Sequence, residues 1–92
     1  MIWILACYDI ADDDRRSRLS DLLAELGPRV QQSVFECRLP SKKALRRLLG
    51  ELAALIDPVE DQVRVYELGG QGPRPQIVGT RILEEWRDMW VV

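Results

Sequence analysis

The chain contains no histidine. Histidine is the side chain whose unperturbed pKa lies closest to neutrality, so ribonuclease chemistry that moves protons through it without a metal is set aside. Zinc is set aside as well, because its sites draw on histidine or clustered cysteine. Only Cys7 and Cys37 are present, far apart and without a Cys-x-x-Cys pairing. Each falls in a segment that reads as a strand, where a free cysteine behaves as a small buried hydrophobe. With no redox motif, a cytoplasmic chain without disulfides is expected. No apolar stretch approaches the roughly 20 residues a membrane helix needs. The N-terminal apolar run lacks the basic leader and small-residue cleavage site of a signal peptide. Phosphodiester chemistry, if there is any, has to rest on carboxylate-held Mg²⁺ or Mn²⁺, both oxygen-seeking ions.

The 92 residues suffice for one small domain. At that size only roughly 60–65% of the unfolded surface is buried on folding, so an oligomer interface adds stability. The net charge of −2 conceals an uneven distribution. Residues 1–14 carry −4, residues 15–47 carry +6 and residues 48–92 carry −4. A basic middle between acidic ends is the pattern of a localised phosphate-binding surface, or of two solvated helix faces.

Ile2 to Tyr8 is an unbroken apolar run, expected to form a strand buried on both faces. Asp12 or Asp13 can cap the helix that follows, whose Leu19, Leu22, Leu23 and Leu26 recur at helical spacing. Gly27-Pro28 ends it. Residues 29–39 read as extended, with Phe35, Cys37 and Leu39 alternating with polar residues, either as one bent strand or as two short ones. Ser41 caps a second helix with Leu45, Leu48, Leu49, Leu52 and Ile56 on one face, and Asp57-Pro58 closes it. A strand over 61–68, a Gly/Pro-rich loop over 69–75 and a short strand near 77–79 follow. Trp3, Trp86 and Trp90 read as packing residues, and the end of the chain at Met89-Trp90-Val91-Val92 is apolar.

This order predicts an α+β fold, a ferredoxin-like βαββαβ sandwich with an extra short C-terminal strand. Residues 1–79 form the domain and residues 80–92 a tail that packs on a partner. Two helices can cover one sheet face, yet the first strand is apolar on both. A homodimer through the second face is therefore expected.

That strand ends on Asp9, with Asp12, Asp13 and Asp14 close behind. A carboxylate at the end of a buried strand needs a partner, a hydrogen bond or a cation. Arg15, Arg16 and Arg18 come next, so the segment is suited to holding a metal ion against a phosphate. Asp12 to Asp14 are expected to cap the helix and complement its dipole rather than ligate. The same dipole disfavours cations in a first turn, so the arginines need an acid or a phosphate as partner.

Tyr8-Asp9-Ile10, Asp12 to Arg16 and the run Arg29 to Cys37 resemble the signature of a CRISPR-associated family, the second of the two near-universal Cas proteins (Cas-two). The resemblance extends through Asp61 and Val63-Arg64-Val65-Tyr66 to Gly79. It implies a ferredoxin-like homodimer that binds duplex DNA and bridges dimers of the Cas integrase during spacer acquisition. It also implies possible Mg²⁺-dependent hydrolysis of RNA or DNA, single-stranded RNA included, with Asp9 of both protomers meeting across the two-fold. Carried over residue by residue, Arg15, Arg16, Arg18 and Arg29 contact phosphate, while Tyr8, Ser33 and Phe35 shape the surroundings of Asp9. A toxin-like metal-dependent endoribonuclease and a non-catalytic dimeric ferredoxin-fold module stay open beside the adaptor.

Overall fold

The computed structural model describes residues 1–69 and 76–79. The expected loop beyond Gly69 and the 80–92 tail lie outside the described residues. The elements run β1 (Ile2–Asp9), α1 (Asp13–Ala24), β2 (Arg29–Gln31), β3 (Val34–Leu39), α2 (Lys42–Leu55), β4 (Gln62–Glu67) and β5 (Gln76–Val78). They build one antiparallel sheet in the order β2-β3-β1-β4-β5. The apolar first strand therefore occupies the centre. The first four strands, in the order β2-β3-β1-β4, have the ferredoxin-like arrangement, and β5 extends the β4 edge.

Alternation along β1 separates its two faces. Ile4, Ala6 and Tyr8 join Phe35, Cys37, Leu39, Val63 and Val65 in one core. Leu19 and Leu23 of α1 and Leu45, Leu48 and Leu52 of α2 close over it. Trp3, Leu5, Cys7 and Asp9 alternate to the side away from the helices. Burial on that side is uneven, from Cys7 at 7% to Trp3 at 42% exposure. The expectation of a strand buried on both faces is thus met only on the helix side within one protomer. Arg38 lies over the Trp3 ring at 5.0 Å from its centroid, which covers part of the exposed indole.

The extended segment 29–39 resolves into two strands. β2 and β3 pair around a turn at Gln32-Ser33, and their register shifts between Arg29 and Gln31. The turn is fixed from β1: the Tyr8 amide donates to the Ser33 carbonyl (3.1 Å) and the Tyr8 hydroxyl to the Gln32 carbonyl (3.3 Å). The α1 exit is held as closely. Glu36 and Arg38 amides donate to the carbonyls of Pro28 and Leu26, and a Cβ at Gly27 would overlap the Glu36 carbonyl oxygen. Only glycine allows that approach.

Both thiols are buried and reduced. Burial pushes each pKa up to about 11, partly opposed by Arg64 at Cys7 and reinforced by Glu36 at Cys37. They remain protonated and inert near neutral pH, the structural role that the sequence indicates.

Candidate functional site: the end of the central strand

Asp9 is the last residue of β1 and sits opposite Gln62 in the β1–β4 register. It is half-buried and belongs to the face away from the helices. Among the described residues, no three of His, Cys, Asp and Glu gather closely enough to share a metal ion. Asp9 therefore offers a single carboxylate from this chain. Mg²⁺ retains several waters and is commonly held by one or two carboxylates together with a phosphate. A single carboxylate with a phosphate and waters is a donor set such an ion accepts.

The loop that follows Asp9 is fixed by a residue from the other end of the domain. Asp61, just before β4, has a fully buried side chain, yet every direction around its carboxylate is answered. Oδ1 accepts from the Ala11 amide (2.9 Å), and Oδ2 accepts from the Asp57 amide (2.8 Å) and from Arg15 Nε (2.8 Å). Arg15 Nη2 also reaches Asp61 Oδ1 and Glu60 Oε2, both at 3.4 Å. Burial alone would raise the Asp61 pKa; the hydrogen bond from Arg15, those from the two amides and the Arg15 charge outweigh it and hold the carboxyl below its ordinary value. Arg15 is correspondingly raised, first by its hydrogen bond to Asp61. One carboxylate thus ties the β1–α1 loop, the first turn of α1 and the α2–β4 turn together. Asp61 was not among the candidate site residues. In the sequence it stands directly after Glu60 at the start of an alternating strand, and only the family resemblance passes through it.

The helix start follows the expected chemistry. Asp12 caps α1 by accepting from the Arg15 amide (2.9 Å), and Asp13 and Asp14 occupy the first turn. Arg16 donates to Asp13 (2.5 Å) and to the Ile10 carbonyl (2.9 Å). Arg18 is exposed on the helix surface. Arg15 is a quarter exposed and its donor fork is engaged by Asp61 and Glu60, so it braces the loop from inside.

The remaining candidates gather on the other side of the sheet from Asp9. A cleft of about 380 Å³ beside α1 is lined by Tyr8, Arg16, Ser20, Arg29 and Ser33, with Asp13 and Asp21 also on its wall. Arg29 donates to Ser20 Oγ (2.5 Å) and lies 5.1 Å from the Phe35 centroid. Tyr8 stacks on Phe35 at 6.2 Å, with 22° between the ring planes. Tyr8 and Phe35 are therefore members of the helix-side core: they support the Gln32-Ser33 turn and the Arg29 stem instead of walling Asp9. The structure brings Tyr8, Arg16, Arg29 and Ser33 together and leaves Asp9, Arg15 and Arg18 outside that group.

A five-stranded antiparallel sheet with two helices on one face, and an acid at the end of its central strand beside an arginine-rich helix start, is a small ferredoxin-like α+β domain. The family model for CRISPR associated protein Cas2 matches residues 1–72. A Thermus thermophilus protein named CRISPR-associated endonuclease Cas2 2 is 40% identical over 85 residues, covering 92% of this chain and 90% of its own length. A Synechocystis protein named CRISPR-associated endoribonuclease Cas2 3 is 44% identical over 70 residues, covering 76% of this chain and 75% of its own. Among solved structures, a chain of a partial Cas6-RT-Cas1–Cas2 complex superposes with a TM-score of 0.65 and 32% identity, over 75% of this chain and 80% of that one. The chain belongs to the Cas2 family.

Proposed function

We propose that this Cas2 protein acts in CRISPR adaptation as a homodimer that binds duplex nucleic acid and bridges dimers of the Cas integrase, with Asp9 of two protomers placed to hold Mg²⁺ or Mn²⁺ at the two-fold. The observation that carries this reading is the position of Asp9. It ends the central strand on the face away from the helices, next to the apolar Leu5 and Cys7, where a second copy of the chain can bring a second Asp9. Solvent exposure of Trp3 on the same face gives a dimer apolar area to bury. Arg16, Arg18 and Arg29 supply cations for the phosphate backbone, and Arg15 keeps the loop after Asp9 in place. The structural neighbour in a Cas1–Cas2 complex supports an integrase as partner.

A Mg²⁺ ion between two Asp9 carboxylates would supply Lewis-acid polarisation of a phosphate and a lowered pKa for a bound water. On the protein side, the Asp61 carboxylate restrains the Ala11 amide and with it the segment that leaves Asp9.

Asp9→Ala tests the two parts separately. Duplex binding and co-purification with the Cas integrase are expected to survive. Any Mg²⁺-dependent cleavage by the wild-type protein is expected to be lost in Asp9→Ala and kept in Asp13→Ala. A dimer that binds neither duplex nor integrase would overturn the adaptor reading.

A further inference from the structure

β5 is the slightest element of the sheet. Its three residues, Gln76–Val78, pair with β4 alone among the described strands and lie at the outer edge. Gln76 and Ile77 are exposed, and only Val78 packs a half-buried side chain against the core. A strand that buries so little opens at a smaller free energy than the central strands. Yet it ends against the residue that fixes the loop after Asp9. Gly79, one residue beyond the Val63–Val78 pair, falls in the row that runs through Gln62 to Asp9. Its φ is +100°, and a Cβ there would overlap the Asp61 carbonyl oxygen and lie 3.2 Å from the Gln62 Cα. Only glycine allows both. Asp61 is fully buried, so the backbone of Gly79 is part of its cover.

We propose that β5 is a handle on the loop after Asp9. Seated on β4, its end keeps water from Asp61 and the loop stays bonded; when β5 leaves the β4 edge, Asp61 is wetted and the loop is released. The chain of contacts is short. Asp61 is held twice to Asp57: its amide donates to the Asp57 carbonyl (2.9 Å), and its Oδ2 accepts from the Asp57 amide (2.8 Å). Backbone and carboxylate therefore move together. Oδ1 holds the amide of Ala11, two residues after Asp9, and Oδ2 holds Arg15 in the first turn of α1. Such bonds are strong because their surroundings exclude water. Water that reaches Asp61 competes for each of them. A partner that takes hold of β5 is thus felt beside Asp9, at the far side of the sheet. By reciprocity, a ligand that orders the Asp9 loop seats β5 more firmly. The coupling does not depend on Asp9 holding a metal, so its failure would leave the function proposed above standing.

Amide hydrogen exchange, resolved residue by residue on the full chain by NMR, tests the coupling. Gly79→Ala places a methyl group against the Asp61 carbonyl and displaces β5. Exchange of the β4–β5 ladder amides is expected to quicken, and that of the Ala11 and Asp57 amides with it, by about tenfold, an ordinary size for coupled sites. Amides at the centre of the sheet, such as those of Ala6 and Cys37, should change by less than about twofold, whereas general destabilisation would quicken them too. Should Gly79→Ala fold poorly, Val78→Ala loosens β5 without placing an atom against Asp61 and is expected to give the same pattern more weakly. Val30→Gly, in the strand at the opposite edge, is expected to leave Ala11 unchanged. Ladder amides that quicken while Ala11 and Asp57 do not would overturn the proposal. So would a Val30→Gly variant that quickens Ala11 equally, or an Ala11 amide without protection in the wild type.

Discussion

The two helices begin in the same way and then use their charges in opposite ways. Each has an N-cap side chain accepting from the amide three residues on, Asp12 from Arg15 (2.9 Å) and Ser41 from Ala44 (3.1 Å). Each then places cations in its first two turns. In α1 the first turn also holds Asp13 and Asp14, and Arg15 and Arg16 are paired with Asp61, Glu60 and Asp13. In α2 there is no first-turn acid, and among the described residues only Lys42 of the four cations has an acidic partner. A count of charges cannot distinguish a brace from a binding face; the atoms that answer each cation can. Arg15, in the helix start that follows Asp9, is a brace, whereas Lys43, Arg46 and Arg47 of α2 are exposed and have no ion-pair partner among the described residues.

The sharpest way to break this comparison is to remove the carboxylate that makes Arg15 a brace. Asp61→Asn takes the charge from the fully buried partner of the pair and directs an amide NH₂ group at donors that need an acceptor. Removing one partner of a buried pair costs about 3 kcal/mol or more, and Arg15, being partly exposed, places the expected loss near that lower end. Urea unfolding at fixed protein concentration measures it, since dimerisation would otherwise shift the midpoint. A loss below about 1 kcal/mol would make Asp61 an ordinary turn residue.

The same carboxylate sets a pH dependence. Its folded-state pKa lies below its unfolded value, so the unfolded chain takes up the proton first as the pH falls. Its stabilising contribution is complete above the ordinary carboxylate range and is lost as the pH drops through and below it. Acid unfolding of Asp61→Asn is expected to be flatter than wild type over that window. Parallel acid profiles would sink the assignment.

Arg15→Gln comes next in size. Asp61 keeps the amides of Ala11 and Asp57, so the loss is expected to be smaller than for Asp61→Asn. In a double-mutant cycle the two changes should fall well short of additive, because they remove one shared interaction. Additivity within about 0.5 kcal/mol would show that the pair is not coupled.

How far this arrangement is legible in the sequence depends on whether its cause is local. The boundaries of β1, α1 and α2 follow from periodicity and from Asp12, Ser41 and Asp57-Pro58, all read within a few residues. The faces are legible too. Tyr8 precedes Asp9 by one residue, so strand alternation alone places them on opposite sides, and it was the family resemblance that grouped them. The division of 29–39 into β2 and β3 is not local. Gln32-Ser33 carries no glycine or proline signal, and its turn is specified by the Tyr8 amide and hydroxyl arriving from β1. The Arg15–Asp61 pair is still more remote, 46 residues apart in the chain. Nothing in either neighbourhood indicates the other.

The smallest predicted effects carry the sign that distinguishes the helices. Asp12→Ala and Ser41→Ala should each cost about 1 kcal/mol, because the caps do the same work in both helices. The cations behind the caps should not. Arg16→Gln gives up bonds to Asp13 and to the Ile10 carbonyl, an exposed pair and a partly buried contact, for an expected loss of about 0.5 kcal/mol. Lys43→Gln removes a cation from the positive end of α2 and a like-charge neighbour from Arg47, for an expected gain of about 0.3–0.5 kcal/mol. The urea midpoint should therefore rise for Lys43→Gln and fall for Arg16→Gln, each with an unchanged slope. A midpoint that falls for Lys43→Gln would mean that this lysine is stabilised within the protein after all. A rise would mean that the isolated chain is less stable for having it, as expected of a side chain that finds its partner on a ligand.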